Sequence, residues 1–114
     1  MAKRINDENA ELIGRPIIEE IIKAHSDTDY DKIIELIPSA KGKLLPENFN
    51  RGSARLKELG EVLSIEYLAH FSKIKEDLVM WRVKYEFAED DIFWHLFLTA
   101  NKEEIEVAGM AFDL

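Results

Sequence analysis

Residues 81–100 read WRVKYEFAEDDIFWHLFLTA, and this stretch decides the fold. In its first part Trp81, Val83, Tyr85 and Phe87 alternate with Arg82, Lys84 and Glu86, the period of two that gives a strand one buried and one solvated face. Its second part, about Asp91 to Ala100, is apolar on both faces: Ile92, Trp94, Leu96 and Leu98 lie on one, Phe93 and Phe97 flank His95 on the other. A central strand has that composition. The link Ala88 to Asp90 is of hairpin length, so the two strands pair antiparallel. Upstream, Leu63, Ile65, Tyr67, Ala69 and Phe71 alternate against Ser64, Glu66, His70 and Ser72 and predict a preceding strand. Ile105 to Phe112 predicts a short last one, and the connections Lys73 to Asp77 and Asn101 to Lys102 make the four a meander.

Turn lengths set an expected register. A two-residue turn at Glu89-Asp90 puts Tyr85 opposite Trp94, Val83 opposite Leu96 and Trp81 opposite Leu98. A turn at Asn101-Lys102 puts Ile105 by Leu98, Val107 by Leu96 and Gly109 beneath the Trp94 indole. The inner face then carries Tyr67, Trp81, Tyr85 and Trp94 as its polar-tipped groups, with no carboxylate and no histidine. The outer face carries the rows Glu66, Lys84, His95, Ala108 and Leu68, Arg82, Phe97, Glu106, with the aromatics Phe93 and Phe112 and with Met110 beside them.

Before the strands the period is helical. Ile13, Ile17, Ile21 and Ala24 form a stripe widened by Leu12, Ile18 and Ile22, with Asp7 as a candidate cap. Pro16 removes one amide donor and crowds the Leu12 carbonyl, so a kink or restart is expected at Gly14 to Pro16. Thr28 to Asp31 has capping-box spacing and opens a second helix with Tyr30, Ile33, Ile34 and Ile37 on its apolar face. Pro38 ends it, and Ser39 to Lys43 is a loop. A third helix starts at Pro46, presents Phe49, Gly52, Leu56 and Leu59, and stops at Gly60. The expected fold is a single α+β domain over residues 1–114, a long kinked helix and two short ones packed on a curved four-stranded antiparallel meander.

Composition limits the function. With 23 acidic and 15 basic residues the formal net charge is -8, which disfavours nucleic acid and anionic lipid surfaces. The absence of cysteine excludes a disulfide framework, zinc-thiolate ligation and a thiol nucleophile. The start, with Asp7 and Glu8 close to Met1, lacks the apolar stretch of a signal peptide, and Ile92 to Leu98 is far shorter than the roughly 20 residues a membrane helix needs. A cytoplasmic location is the expectation.

The order helix, short helix, helix, four-stranded meander resembles the cystatin-like cone shared by nuclear transport factor and ketosteroid isomerase relatives. The run Ser26-Asp27-Thr28-Asp29-Tyr30-Asp31-Lys32-Ile33 is similar to the acidic, aromatic link after the first helix in those proteins, and Val107-Ala108-Gly109-Met110-Ala111-Phe112 looks like their last strand. The resemblance implies, for enzyme members, an acid or histidine base inside the cone with donors for an enolate-like oxyanion. On the register above this chain lacks that base, and no catalytic residue is assigned.

The remaining chemistry is sparse. His25, His70 and His95 show no metal-ligand spacing, no metal site or cofactor is expected, and Gly42-Lys43 lacks the upstream glycine of a phosphate loop. Lys41, Lys43, Arg51, Arg55 and Lys57 gather around the third helix, either as a solvated face or as a dock for an anion. Asp113, at the end of the last strand, reads as solvated, though it could approach the cone's rim. Tyr67, Trp81, Tyr85 and Trp94 are core rings or line a small apolar pocket. Phe93, Phe97, Met110 and Phe112 on the outer face favour a sheet-to-sheet homodimer, with His95 in the patch and Arg82 and Lys84 against Glu66 and Glu106 setting its register. The leading expectation is a non-catalytic, dimeric binding or accessory domain holding a small apolar ligand or none. The alternatives are an isomerase, dehydratase or cyclase, which requires His70 or His95 to turn inward, and an acidic inhibitor of a basic protein.

Overall fold

The computed structural model describes residues 4–101 and 104–113. Three helices, α1 (Ala10–Ser26), α2 (Tyr30–Leu36) and α3 (Pro46–Lys57), with a single 3-10 turn at Pro38–Ala40, precede four strands, β1 (Val62–Ser72), β2 (Asp77–Tyr85), β3 (Ile92–Asn101) and β4 (Glu104–Phe112). The sheet is an antiparallel meander in the order β1-β2-β3-β4, so the fold is α+β with the helices against one face of a curved sheet.

The helix starts differ from the expected caps. Asn6, not Asp7, closes the turn that leads into α1: its Oδ1 accepts the Glu8 and Asn9 amides at 2.9 and 3.0 Å, and the Asn9 side chain accepts the Asn6 amide at 2.8 Å. That reciprocity satisfies donors the helix cannot pair internally. Asp7 is left free to reach elsewhere. At α2 the cap is Asp29, which accepts the Lys32 amide at 3.1 Å, while Thr28 takes φ 51° just before it. α1 runs continuously through Pro16. Its buried side is Ala10, Gly14, Ile18, Ile21, Ile22, Ala24 and His25, whereas Leu12 points to solvent. Gly14 is there because a Cβ would lie 2.9 Å from Cζ2 of the fully buried Trp81. Gly60, at φ 84°, terminates the α3 end as its sequence position suggests.

The strand register differs in a way that leaves most faces intact. Trp81 pairs with Trp94, Val83 with Ile92 and Val79 with Leu96, a slip of four residues from the expected pairing, because residues 86–91 form a longer loop than a two-residue turn. An even slip keeps each side chain on its face. Three irregularities do change faces. At the start of β1 the pairing steps from Val62–Tyr85 to Ser64–Lys84, so Leu63 is an inserted residue and stands exposed. In β1 the pairing steps from Tyr67–Trp81 to Ala69–Met80, so Leu68 is an inserted residue. In β4 it steps from Gly109–Phe97 to Val107–Leu98, so Ala108 is inserted. Each bulge inverts the alternation beyond it. His70 therefore turns inward opposite Val79 and Phe71 turns outward, while Met110 and Phe112 turn inward opposite Leu96 and Trp94, and Gly109 turns outward opposite Phe97. The expected outward placement of Met110 and Phe112, the inward placement of Leu63, Ala69 and Phe71, and the seat of Gly109 under Trp94 are corrected accordingly.

The core lies between the helices and the inner face. Ile18, Ile21, Ile33, Phe49 and Leu56 from the helices meet Val79, Trp81, Val83, Trp94, Leu96 and Leu98 from the central strands.

Candidate functional site

The four expected rings lie on the inner face, against a buried histidine of α1. Trp81 and Trp94 are fully buried, Tyr85 nearly so, and Tyr67 is half-buried with its ring 5.6 Å from Trp81 in an edge-on contact. His25, one turn beyond Ile21, is buried among Phe49, Trp94 and Phe112 at ring separations of 4.9, 5.3 and 5.5 Å. Burial pushes its pKa down, against a smaller opposing contribution from the Ile21 carbonyl, so the ring is neutral. Its Nδ1 lies 2.9 Å from that carbonyl and donates to it, which makes Nε2 the acceptor nitrogen. Burial pushes the Tyr85 phenol up to about 12, with the Trp94 indole acting in the opposite direction.

Polar atoms inside this region lack partners. Among the described residues the indole N–H groups of Trp81 and Trp94 and the Ser53 hydroxyl are buried without a hydrogen bond. The Trp94 N–H is near enough to Tyr85 to influence its phenol but does not close a bond of proper geometry, which leaves Trp81 as the clearer orphan donor. Each such group costs about 1–3 kcal/mol of unrecovered desolvation.

At one end of the inner face sits the second unexpected group. His70 has a side chain only 2% exposed, with Nδ1 2.8 Å from Asp7 Oδ1 and Nε2 2.7 Å from Asp77 Oδ1. The inner face therefore holds both a histidine and a strand carboxylate, contrary to the sequence reading. Burial disfavours the charged ring, but the hydrogen bonds and charges of Asp77 and Asp7 outweigh it and raise the pKa. With both nitrogens facing carboxylate oxygens, both donate. While doubly protonated, His70 thus has no lone pair to offer a substrate, and it pins the start of α1 to the sheet. Arg15 adds a neighbouring clamp: its guanidinium lies 5.3 Å over the Trp81 ring, donates to the Ile65 carbonyl at 3.0 Å and pairs with Glu11 at 2.9 Å.

Two grooves adjoin the helix layer. One of about 430 Å³, between α1, α3 and β1, has Ile22, Leu56, Val62 and Ile65 as its floor and Lys23 and Lys57 at its edge. The other, of about 670 Å³, lies between α2, the 3-10 turn and β4. The basic residues Lys41, Lys43, Arg51, Arg55 and Lys57 are all exposed and form no salt bridge among the described residues. No group of three or more metal-ligating side chains converges among the described residues.

The outer face keeps Arg82, Lys84, Phe93, His95 and Phe97 as expected and gains Phe71, Leu78 and Met80. Two cross-strand rows are apolar but for one histidine, Phe71–Leu78–Phe97–Gly109 and Ala69–Met80–His95–Ala111, and a third runs Glu66–Arg82–Phe93. Arg82 pairs with Glu66 at 3.2 Å and with Asp91 at 3.8 Å; His95 Nε2 is 3.5 Å from Asp113. Phe71 is 51% and Phe93 39% exposed, so no described element covers this face. No helix among the described residues is long and apolar enough to cross a membrane. Comparison with protein-family models, with curated proteins and with solved structures finds no match to this chain.

Proposed function

We propose that this chain is a cytoplasmic, non-catalytic binding or accessory domain of the cystatin-like cone type, which holds a small apolar molecule between helices and sheet and self-associates through its open sheet face. The observation that carries the reading is the pair of buried indole donors without acceptors, above all Trp81, in an interior otherwise lined by aliphatic and aromatic groups. An apolar molecule bearing one acceptor oxygen is the chemistry that satisfies such donors while losing little on leaving water. The groove between α1, α3 and β1 offers the route, since two of its floor residues, Ile22 and Leu56, belong to the core.

The inward turn of His70 is the one observation that favours an enzyme instead. Its geometry weighs against that reading, because a general base needs a free nitrogen within reach of the substrate proton, and here both nitrogens are held by Asp7 and Asp77.

Trp81 and Trp94 are the only tryptophans, so intrinsic fluorescence reports on this interior alone. Native mass spectrometry of freshly purified protein, followed by tryptophan-fluorescence titration with 2-decanone, is the test. A retained small-molecule mass, or saturable fluorescence change that Trp81→Phe weakens about tenfold, supports binding. Bare protein with no fluorescence response removes the ligand from the reading.

A further inference from the structure

Neither a left-handed backbone nor a close contact requires glycine at position 109. Its φ is not in the left-handed range, and a Cβ built on it meets nothing within 4 Å. It sits in a strand, where glycine loses backbone entropy and contributes no packing. Its missing side chain leaves open space on the outer face, at one end of the row Phe71–Leu78–Phe97–Gly109, one side chain lower than its neighbours. At the other end stands Phe71, half-exposed, with no described element over it. A bulky ring and an open space thus occupy opposite ends of one row, each on an edge strand and each turned outward by its own bulge.

We propose that two copies of the chain stack face to face about a two-fold axis that runs parallel to the strands between β2 and β3. This operation carries β1 onto β4 and β2 onto β3 of the second copy while preserving each row. Phe71 then fills the space above the partner's Gly109, and Leu78 packs on the partner's Phe97. In the next rows Met80 meets the partner's His95, and the Arg82 guanidinium meets the ring of the partner's Phe93. A two-fold axis across the strands through the middle of the face instead lays the apolar rows against Arg82, Lys84 and Glu66. The area reaches the low end of what a specific dimer buries. Four strands spaced about 4.8 Å and about nine residues long at about 3.3 Å each span roughly 19 by 30 Å, on the order of 570 Å² per copy before side-chain relief is counted. That doubles to roughly 1,100 Å², above the level of about 800 Å² typical of packing contacts. Aligned sheets cross at about -30°, which displaces the outer strands by only a few ångströms and keeps Phe71 over that space. Lys73, whose ammonium lies 5.3 Å over the Phe97 ring in one copy, must swing to the rim.

The inference rests on the reading that the open face is where copies meet and adds the axis and the contacts. Sedimentation velocity of the full chain at 1–200 µM, with Gly109→Val and Phe71→Glu variants and their thermal melts, tests it. A β-branched residue at an open strand position leaves the fold at least as stable, so Gly109→Val is expected to keep its melting temperature yet weaken the dimer at least tenfold. Phe71→Glu is expected to do the same. A wild-type monomer at 200 µM overturns both the open-face reading and this inference. A dimer that tolerates Gly109→Val overturns the axis proposed here while leaving self-association in place.

Discussion

His70 is held by two carboxylates on different parts of the chain, Asp7 before α1 and Asp77 at the start of β2, and this makes the pin depend on pH. Only the doubly protonated ring donates to both. Its folded pKa is raised above the ordinary histidine value of about 6.5, because the hydrogen bonds and charges of the two aspartates more than offset burial. A group with a raised folded pKa contributes stability that is fully present below the unfolded value and is lost as pH rises through the folded one. Glu11 on α1 and the Tyr67 phenol on β1 lie in the same neighbourhood, and the Tyr67 pKa is raised by burial and by the charges of Asp7 and Glu11, so it stays neutral across the window that matters. The expected outcome is that urea-unfolding free energy falls between pH 6 and pH 9, and that His70→Gln, which carries no titrating ring, flattens this slope. Equal slopes in the two proteins would show that the pin does not carry the pH dependence.

The bulges at Leu63, Leu68 and Ala108 decide which side of the sheet each edge-strand residue serves, and a paired substitution tests that assignment in β4. Phe112 lies 4.5 Å from the Trp94 ring on the inner face, whereas Phe93 stands 39% exposed on the outer one. Phe112→Ala is expected to cost about 2–3 kcal/mol of folding stability, less than a fully buried phenylalanine because its site is half open, and to leave self-association unchanged. Phe93→Ala is expected to change stability by under about 1 kcal/mol and to weaken the dimer. Chemical denaturation alongside sedimentation separates the two, and the reverse pattern would place the β4 bulge elsewhere. The central strands were legible because alternation over Trp81 to Tyr85 and Ile92 to Leu98 survives any even slip in register. The edge strands were not, because one inserted residue inverts everything past it and leaves composition untouched. Signals existed all the same: an isolated Gly109 inside a strand pattern and the adjacent apolar pair Leu68-Ala69 both mark a break in alternation. His25 was legible too, four residues after Ile21 on the buried stripe, and its polar ring obscured that position. The His70 pin was beyond reach, since it needs both the bulge and the return of Asp7 across the sheet.

For the whole molecule, charge opposes what the open face favours. Each copy carries a formal charge of -8, so stacking two copies sets like-charged bodies at close range. In the proposed arrangement Glu66 faces the partner's Asp113 at the rim, where the twisted sheets splay apart, while the rows through Leu78 and Met80 are apolar but for His95. Salt screens exposed charges over about 30 Å at 0.01 M but only about 10 Å at 0.1 M. Raising sodium chloride from 10 to 300 mM is therefore expected to tighten the dimer several-fold, measured as the shift in its dissociation constant by sedimentation velocity. An interface built on ion pairs responds in the opposite direction, because screening weakens the contacts that hold it. Dissociation on adding salt would thus remove the apolar rows as the driving contact and move the interface to the charged end of the face, where Arg82 and Lys84 lie close to Glu66 and Asp91.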